Sequence, residues 1–306
     1  MLVGVGTQPD RPQGRQRHLA PTPLGKAALA LGLPVQRPDN VNLPASLEFL
    51  RSLDLDLIVV AAYGQILREP LLNLPRFGCL NLHASLLPKY RGASPVQAAI
   101  LAGDPETGVS FMKLDKGLDT GPVYEMVRLP LDGSETGAAL EQALAALAAD
   151  HVGACINRVC RAGLVPQPQP ATGISLTRKL KKEQGRIDWR QSSAELLRQV
   201  RAYHSWPGSW FDLPTAHGLR RMLVTMAVAF QEEMPAETAP GEVVRADAHG
   251  WVVACGGGGG LALGRVVPGG QREMSSAEFL RGCPVPAGTR LDAEQTTFEK
   301  VHQQTT

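Results

Sequence analysis

Residues 78–121 constrain this chain more than any other stretch. Gly78 to Leu82 is mostly apolar and runs out into a Ser85-Leu86-Leu87-Pro88 bend, and Gly117 and Gly121 bracket Asp119 as tight-turn residues. If the apolar run is a strand, Asn81 and His83 are two apart and share one face. Asp119 follows His83 by 36 residues, about the length of a strand-helix-strand crossover that brings the chain back beside its start. Polar groups at the end of a buried strand suit the crevice in which open α/β sheets bind ligands. An amide, an imidazole and a carboxylate gathered there can polarise a carbonyl, stabilise a developing oxyanion and manage one proton. Singly, such residues in loops are mostly turn formers, so it is their placement together that points to chemistry.

The neighbouring sequence alternates strand and helix signals, as an α/β domain does. Leu2–Val5 is a short apolar strand entering the turn-rich residues 7–12. Asp56 to Ala62, DLIVVAA, is the continuous apolar run expected of a parallel strand buried on both faces, and it stops at Tyr63-Gly64. Ser94-Pro95 reads as a helix N-cap with proline at the first helical position, closed by Gly103. Val109–Leu114 is the strand that delivers Asp119. Glu135–Arg161 is a long Ala/Leu helix, and Leu140, Leu144 and Leu147 recur on it at the spacing of a core face.

At residue 163 the composition changes. The run LVPQPQP excludes a helix or a central strand, so 163–176 is expected to be an extended linker after a first domain of residues 1–162. A second domain follows over 177–290, with a helix near Ala194–Ala202. Five short β-like runs come after it (209–213, 221–230, 241–245, 251–255 and 261–267), the pattern of a small barrel. Trp206-Pro207 is expected to pack inside this domain. Gly256–Gly260 lacks the Lys-Ser/Thr and helix of a phosphate loop and reads as a flexible hairpin tip. Residues 291–306 form a polar tail expected to be disordered.

At 306 residues the chain is long enough for two cores, and 43% hydrophobic with 20% charged residues suits a globular protein. No run of eighteen apolar residues is present, which argues against a membrane span, and the N-terminus lacks a secretory layout. Cys79, Cys155, Cys160, Cys255 and Cys283 form an odd set without a CxxC pair. They read as free thiols in a reducing cytoplasm, and no His/Cys cluster has metal-ligand spacing.

The stretch Leu80–Gly121, LNLHASLLPKYRGASPVQAAILAGDPETGVSFMKLDKGLDTG, resembles the core signature of the folate-dependent formyltransferases almost without a break. The likeness runs from the first residues to about Arg290. It implies a Rossmann-like, parallel-sheet formyltransferase domain followed by a small OB-like β-barrel domain, with Gly185-Arg186-Ile187-Asp188-Trp189 as the lead-in to the second. It further implies a monomeric cytoplasmic enzyme that moves a formyl group from 10-formyltetrahydrofolate to the amino group of methionyl initiator tRNA. By that resemblance Asn81, His83 and Asp119 are catalytic. Ser85, Leu86, Leu87 and Pro88 form the loop that holds the folate, Tyr63 and Gly64 lie near the pterin pocket, and no metal is needed.

Charge distribution adds to this. Residues 7–26 hold Arg11, Arg15, Arg17 and Lys26 against Asp10, a local excess of +3. Residues 178–201 hold eight Lys or Arg against three acids, an excess of +5, in a chain whose net charge is only +2. One such patch is ordinarily a solvated face, but one in each domain suits neutralisation of a nucleic-acid backbone. In the family the first is an insertion that reaches the acceptor stem, with Arg15 entering it. Arg11, Arg15, Arg17, Lys179, Lys181 and Lys182 are the expected tRNA contacts.

One departure stands out. The family opens with a strand, a glycine turn and a helix ahead of the segment that begins here at Leu2, and that strand lies between the ones at Leu2 and Asp56. Loss of a central strand costs more than the about 5–15 kcal/mol by which domains are stable, so the expectation is a translation start upstream of Met1 or a poorly folded form. Two alternatives remain open at this point. One is a formyltransferase acting on a sugar nucleotide, which shares the Asn-His-Asp core; the other is an inactive, truncated RNA-binding protein.

Overall fold

The apolar runs read from the sequence become short strands and amphipathic helices. In a computed structural model, residues 1–13, 18–216, 218–235 and 237–291 are described. In chain order the elements are β1 (Val5–Gly6), β2 (Arg11–Gln13), β3 (His18–Ala20), α1 (Pro23–Ala30), β4 (Val35–Gln36), α2 (Pro44–Ser52), β5 (Ile58–Val60) and α3 (Glu69–Leu72). Next come β6 (Cys79–His83), β7 (Arg91–Gly92), α4 (Pro95–Ala102), β8 (Glu106–Lys113), β9 (Val123–Pro130), α5 (Gly137–Arg161) and β10 (Leu176–Thr177). The remainder is α6 (Ser193–Ala202), β11 (Ser209–Thr215), β12 (Gly218–Phe230), β13 (Val243–Asp247), β14 (Gly250–Ala254), β15 (Gly260–Pro268), β16 (Met274–Ser275) and α7 (Ser276–Gly282). The chain divides into two units. The first takes Met1–Pro95, Glu106–Leu129 and Ala143–Thr177, and the second takes Val96–Pro105, Pro130–Gln142 and the chain from Arg178 on.

The first unit is mixed α/β. Parallel strands β1 and β4 make a two-stranded sheet, and β5-β6-β8-β9 make a separate four-stranded one. Strands β5 and β6 are parallel, with Val60 opposite Asn81. The crossover expected between His83 and Asp119 is corrected here: β8 lies antiparallel to β6, with His83 opposite Ser110 and Leu80 opposite Lys113. After β6 the chain first makes β7, which pairs with β10, then α4, and returns along β6 in the opposite sense. An antiparallel neighbour needs no right-handed crossover, and strand direction leaves no trace in a hydrophobic pattern. The run 56–62 also differs from expectation. Only Ile58–Val60 is strand, and Val59 is 41% exposed, because β5 is an outer strand with one neighbour in its sheet.

Local signals fared better. Helix α4 begins at Pro95, and Gly103 follows it at φ +71°, a left-handed position where glycine carries no Cβ penalty. On α5 Leu140 and Leu144 are buried while Leu147 is half-buried. Leu47, Leu71, Leu72 and Cys79 form one core cluster of this unit, and Leu87, Met112 and Val123 another. Residues 163–176 are extended, as proline requires, yet they do not hang free. Gln167 bridges to Val123, and β10 pairs in parallel with β7.

The second unit is built on one antiparallel sheet, β11-β12-β15-β14-β13, with β16 added to β15. A register shift between Val224 and Ala227 bends β12. Helix α6 begins with a reciprocal cap: Glu195 N donates to Ser192 Oγ, and Ser192 N donates back to the Glu195 carboxylate. The core is aromatic. Trp189 meets Phe211 edge-on at 5.7 Å, Phe211 meets Trp251 at 5.7 Å, and Trp251 stacks on Phe279 at 5.5 Å. Truncating one of these large side chains costs about 3–5 kcal/mol. Trp206 is not part of that core, contrary to expectation; it is 49% exposed. Nor is the glycine run loose throughout. Gly256 is buried, donates to Trp189 O and Gln191 O, and a Cβ there would meet Arg190 O at 1.8 Å. Among the described residues no helix is long and apolar enough to cross a membrane.

Candidate active site

Because β5 and β6 are parallel, their C-terminal ends open on the same edge of the sheet. That edge gathers Tyr63-Gly64, Asn81 and His83. His83 is 6% exposed. Its Nε2 lies 3.0 Å from Tyr90 O, and since a carbonyl only accepts, Nε2 carries a hydrogen. Nδ1 therefore faces the other way, 3.6 Å from Asp119 Oδ2. That separation is longer than a direct hydrogen bond, so Nδ1 is aimed at the carboxylate without being used up by it.

Asp119 reaches this position from the loop between β8 and β9, and it does so with a left-handed backbone, φ 51°. A non-glycine residue held there stores on the order of 1–3 kcal/mol, and such strain collects at functional sites. Its Oδ2 also accepts from Gly92 N at 2.8 Å. Asn81 is half-buried, and its carboxamide has no hydrogen-bond partner among the described residues. The arrangement thus offers one free amide donor, one imidazole edge and one carboxylate whose Oδ1 is unengaged among the described residues, which can stabilise charge on a carbonyl oxygen and take up a proton.

The loop expected to hold folate divides in two. Ser85 and Leu87 turn into the protein: Ser85 Oγ donates to Lys89 O at 2.6 Å, and Leu87 packs on Met112 and Val123. Ser110 Oγ secures this bend by donating to Ser85 O at 2.6 Å while accepting from Leu87 N at 3.0 Å. Leu86 and Pro88 stay half-buried and can offer apolar contact. Tyr63 is held through its carbonyl, which accepts from Gln8 Nε2 at 2.6 Å. Its hydroxyl is buried with no partner among the described residues, and burial raises its pKa, so it stays protonated and able to donate. An orphaned donor at the strand ends suits a ring system with polar edges, as a pterin has. Among the described residues no three His, Cys, Asp or Glu side chains come together as a metal site would need.

Several groups around the site went unnoticed in the sequence. Tyr90 O, Gly92 N, Gln169, Ser175 and Thr177 all brace the loops that hold His83 and Asp119. Gly92 alone carried a usable signal. A Cβ there would stand 2.1 Å from Thr177 O, and its φ is +114°.

Of the expected tRNA contacts, Arg15 and Arg17 lie outside the described residues. Arg11 is exposed and reaches Gln8 Oε1 at 3.3 Å, while nearby Asp10 pairs with Arg37 at 3.3 Å. Lys179, Lys181 and Lys182 are exposed and form no ion pair among the described residues. Elsewhere in that basic run, Arg198 Nε donates to Leu101 O, Arg201 to Gly133 O, and Arg190 pairs with Asp188.

Comparison with known proteins gives the site a context. The family described as formyl transferase matches residues 1–154, and its C-terminal domain matches 179–284. The methionyl-tRNA formyltransferase of Thiobacillus denitrificans is 44% identical over 292 residues, covering 95% of this chain and 92% of that protein. Two solved structures share the fold. HypX from Aquifex aeolicus, in complex with tetrahydrofolic acid, superposes with a TM-score of 0.57 at 19% identity, over 83% of this chain and 43% of its own. WlaRD, a sugar 3N-formyl transferase, gives 0.56 at 17% identity, over 81% of this chain and 82% of its own.

Proposed function

The chain belongs to the formyl transferase family, and from that premise we propose that it transfers a formyl group from 10-formyltetrahydrofolate to the amino group of methionyl initiator tRNA, in support of translation initiation. The observation that carries this reading is the approach of His83 Nδ1 to Asp119 Oδ2, 3.6 Å apart on segments distant in sequence, beside the unpartnered amide of Asn81. The likeness to methionyl-tRNA formyltransferases over nearly the whole chain, and the exposed lysines at 179, 181 and 182, favour tRNA over a sugar nucleotide as acceptor.

When bound, the folate supplies an activated formyl carbon. The chain's part is to hold and to polarise. The Asn81 amide would donate to the carbonyl oxygen as negative charge grows on it, and His83 would add a second donor when Nδ1 carries a proton as well as Nε2. A donor of that kind is worth on the order of 10²–10³ in rate. The Tyr90 carbonyl keeps Nε2 engaged, so the imidazole works through Nδ1. Asp119 Oδ2 faces the imidazole, and Oδ1 would take up the proton the attacking amine gives away and return it to the folate nitrogen as the bond from that nitrogen to the formyl carbon breaks. Leu86 and Pro88 would cover the folate, and the Tyr63 hydroxyl would donate to its edge. Lys179, Lys181, Lys182 and Arg11 neutralise tRNA phosphates, with Arg15 and Arg17 assigned the same part.

We further assign residues 1–162 to a Rossmann-like catalytic domain, 163–176 to its linker and 177–290 to an OB-like tRNA-binding domain. We place the enzyme, as a monomer, in the cytoplasm, where its five free thiols are at home. The test is formylation with 10-formyltetrahydrofolate as donor and methionyl initiator tRNA, or an amino-sugar nucleotide, as acceptor. Formylated tRNA is expected. Transfer to the sugar alone, or to neither acceptor, overturns the assignment.

A further inference from the structure

If the chain transfers formyl groups as proposed above, we infer that Gln169 is a positioning residue for that reaction, fixing Asp119 through its backbone. Gln169 lies in the proline-rich segment that falls between the two family matches, at residues 155–178. Its carboxamide is fully committed. Nε2 donates to Asp119 O at 2.8 Å and to Gly121 O at 2.7 Å, and Oε1 accepts from Arg91 Nε at 3.1 Å and Nη2 at 2.8 Å.

These bonds join two loops that also meet at His83 and Asp119. One loop carries Tyr90, whose carbonyl engages His83 Nε2, and Gly92, whose amide engages Asp119 Oδ2. The other carries Asp119 itself. Gln169 holds the second loop by its two carbonyls and the first by its arginine. Its own backbone is anchored on the same unit. Gln167 exchanges both hydrogen bonds with Val123 at 2.8 Å, Ser175 Oγ accepts from Tyr90 N at 2.8 Å, and Arg91 N donates to Ser175 O at 2.9 Å. Thr177 Oγ1 accepts from Ser94 N and donates to Arg91 O.

Asp119 needs such a clamp. Its φ of 51° is left-handed, a region that aspartate enters more readily than most residues but still at a cost that the surrounding bonds offset. With the two carbonyl bonds removed, the peptide either side of Asp119 is free to turn, and the carboxylate drifts from His83. Misplacement of a catalytic group by about 1 Å costs on the order of 10²-fold in rate. A side chain acting this way changes turnover and leaves binding nearly alone, because its carboxamide is spent on Asp119, Gly121 and Arg91 rather than on either substrate.

The experiment compares Gln169→Ala, Gln169→Glu, Asp119→Asn and the Gln169→Ala/Asp119→Asn double variant, each checked for folding by thermal melting. Gln169→Ala is expected to lose about 10- to 100-fold in kcat while both KM values stay within about threefold. Gln169→Glu keeps the acceptor for Arg91 but lacks both donors, so it is expected to be impaired as well, and it stands in should the alanine variant not fold. On the Asp119→Asn background the loss of Gln169 is expected to cost nothing more, since its effect passes through that carboxylate. Wild-type kcat in Gln169→Glu, a loss confined to KM, or losses that multiply in the double variant would each overturn the inference. A wild-type enzyme that fails to formylate tRNA sinks the functional reading instead; a sound enzyme whose Asp119→Asn variant is dead and whose Gln169 variants are active sinks this inference alone.

Discussion

Gly92→Ala tests whether the strap from residue 163 to 177 truly clamps the site. A Cβ on Gly92 would stand 2.1 Å from Thr177 O and 3.1 Å from its carbonyl carbon, where contacts under 3.0 Å do not persist. The φ of +114° is one that alanine resists, at a cost on the order of 1–3 kcal/mol. Relief requires Thr177 to back away by roughly 1 Å. Doing so strains or breaks three bonds: Arg91 N to Ser175 O, Ser94 N to Thr177 Oγ1 and Thr177 Oγ1 to Arg91 O. At about 0.5–1.5 kcal/mol each, these bring the total to roughly 2.5–7.5 kcal/mol, a large share of the about 5–15 kcal/mol that holds a domain. For a unit of this size each kcal/mol lowers Tm by about 2–4 °C, so a fall of roughly 5 °C or more is expected. Turnover should fall too, well below the melting range, because Gly92 N is a partner of Asp119 Oδ2. Thermal melting by circular dichroism and formylation kinetics at room temperature measure both. A Tm within about 2 °C of wild type together with unchanged kcat would refute the clamp.

Asp119→Asn should cut kcat by about 10²–10³-fold while aminoacyl-tRNA binding persists, and turnover near wild type would remove the carboxylate from the mechanism. Tyr63→Phe removes one buried donor worth about 1 kcal/mol, so KM for the folate donor should rise about fivefold with kcat little changed; an unaltered KM would mean the hydroxyl faces no ligand. Replacing Lys179, Lys181 and Lys182 with alanine should lower the salt dependence of tRNA binding by about one unit of slope for each phosphate no longer neutralised, and an unchanged slope would reduce them to solvated charges. Burial pushes the Cys79 and Cys255 thiols up to about 12 and Cys155 up to about 11. All three are therefore protonated at pH 8, and burial raises the half-buried Cys160 thiol as well, so in the native protein iodoacetamide should label Cys283 first; rapid labelling of Cys79 would contradict the packing beneath the site.

What could be read from the sequence was whatever is encoded within a few residues. Ser94-Pro95 and Gly103 bound α4, and the apolar runs after Ser209 became the strands of the second unit, because caps, turns and alternation act locally. The meeting of His83 with Asp119 was expected from the family resemblance, while the crossover expected from their spacing proved wrong, because β8 returns antiparallel to β6. Strand direction was not legible. The pattern of Val109–Leu114 is the same whether it pairs with β6 parallel or antiparallel, and only the path through β7 and α4 decides it. Nor does an apolar run say how many neighbours it will have, which is why β5 proved half-exposed and Trp206 wholly outside its core. The bracing of the site was the least legible part, for a physical reason. Four of its contacts are main-chain atoms, namely Tyr90 O, Gly92 N, Asp119 O and Gly121 O, which every residue possesses and no side-chain pattern reports. Gln169 shows itself only once those atoms have been placed, because a single glutamine among prolines has no periodicity to betray its partners. A main-chain contact becomes visible in sequence only where a side chain would collide with it, and at this site that happens at Gly121, where a Cβ would meet Lys113 O at 1.9 Å, and at Gly92, where a single methyl group tests whether the two loops and the strap are one structure.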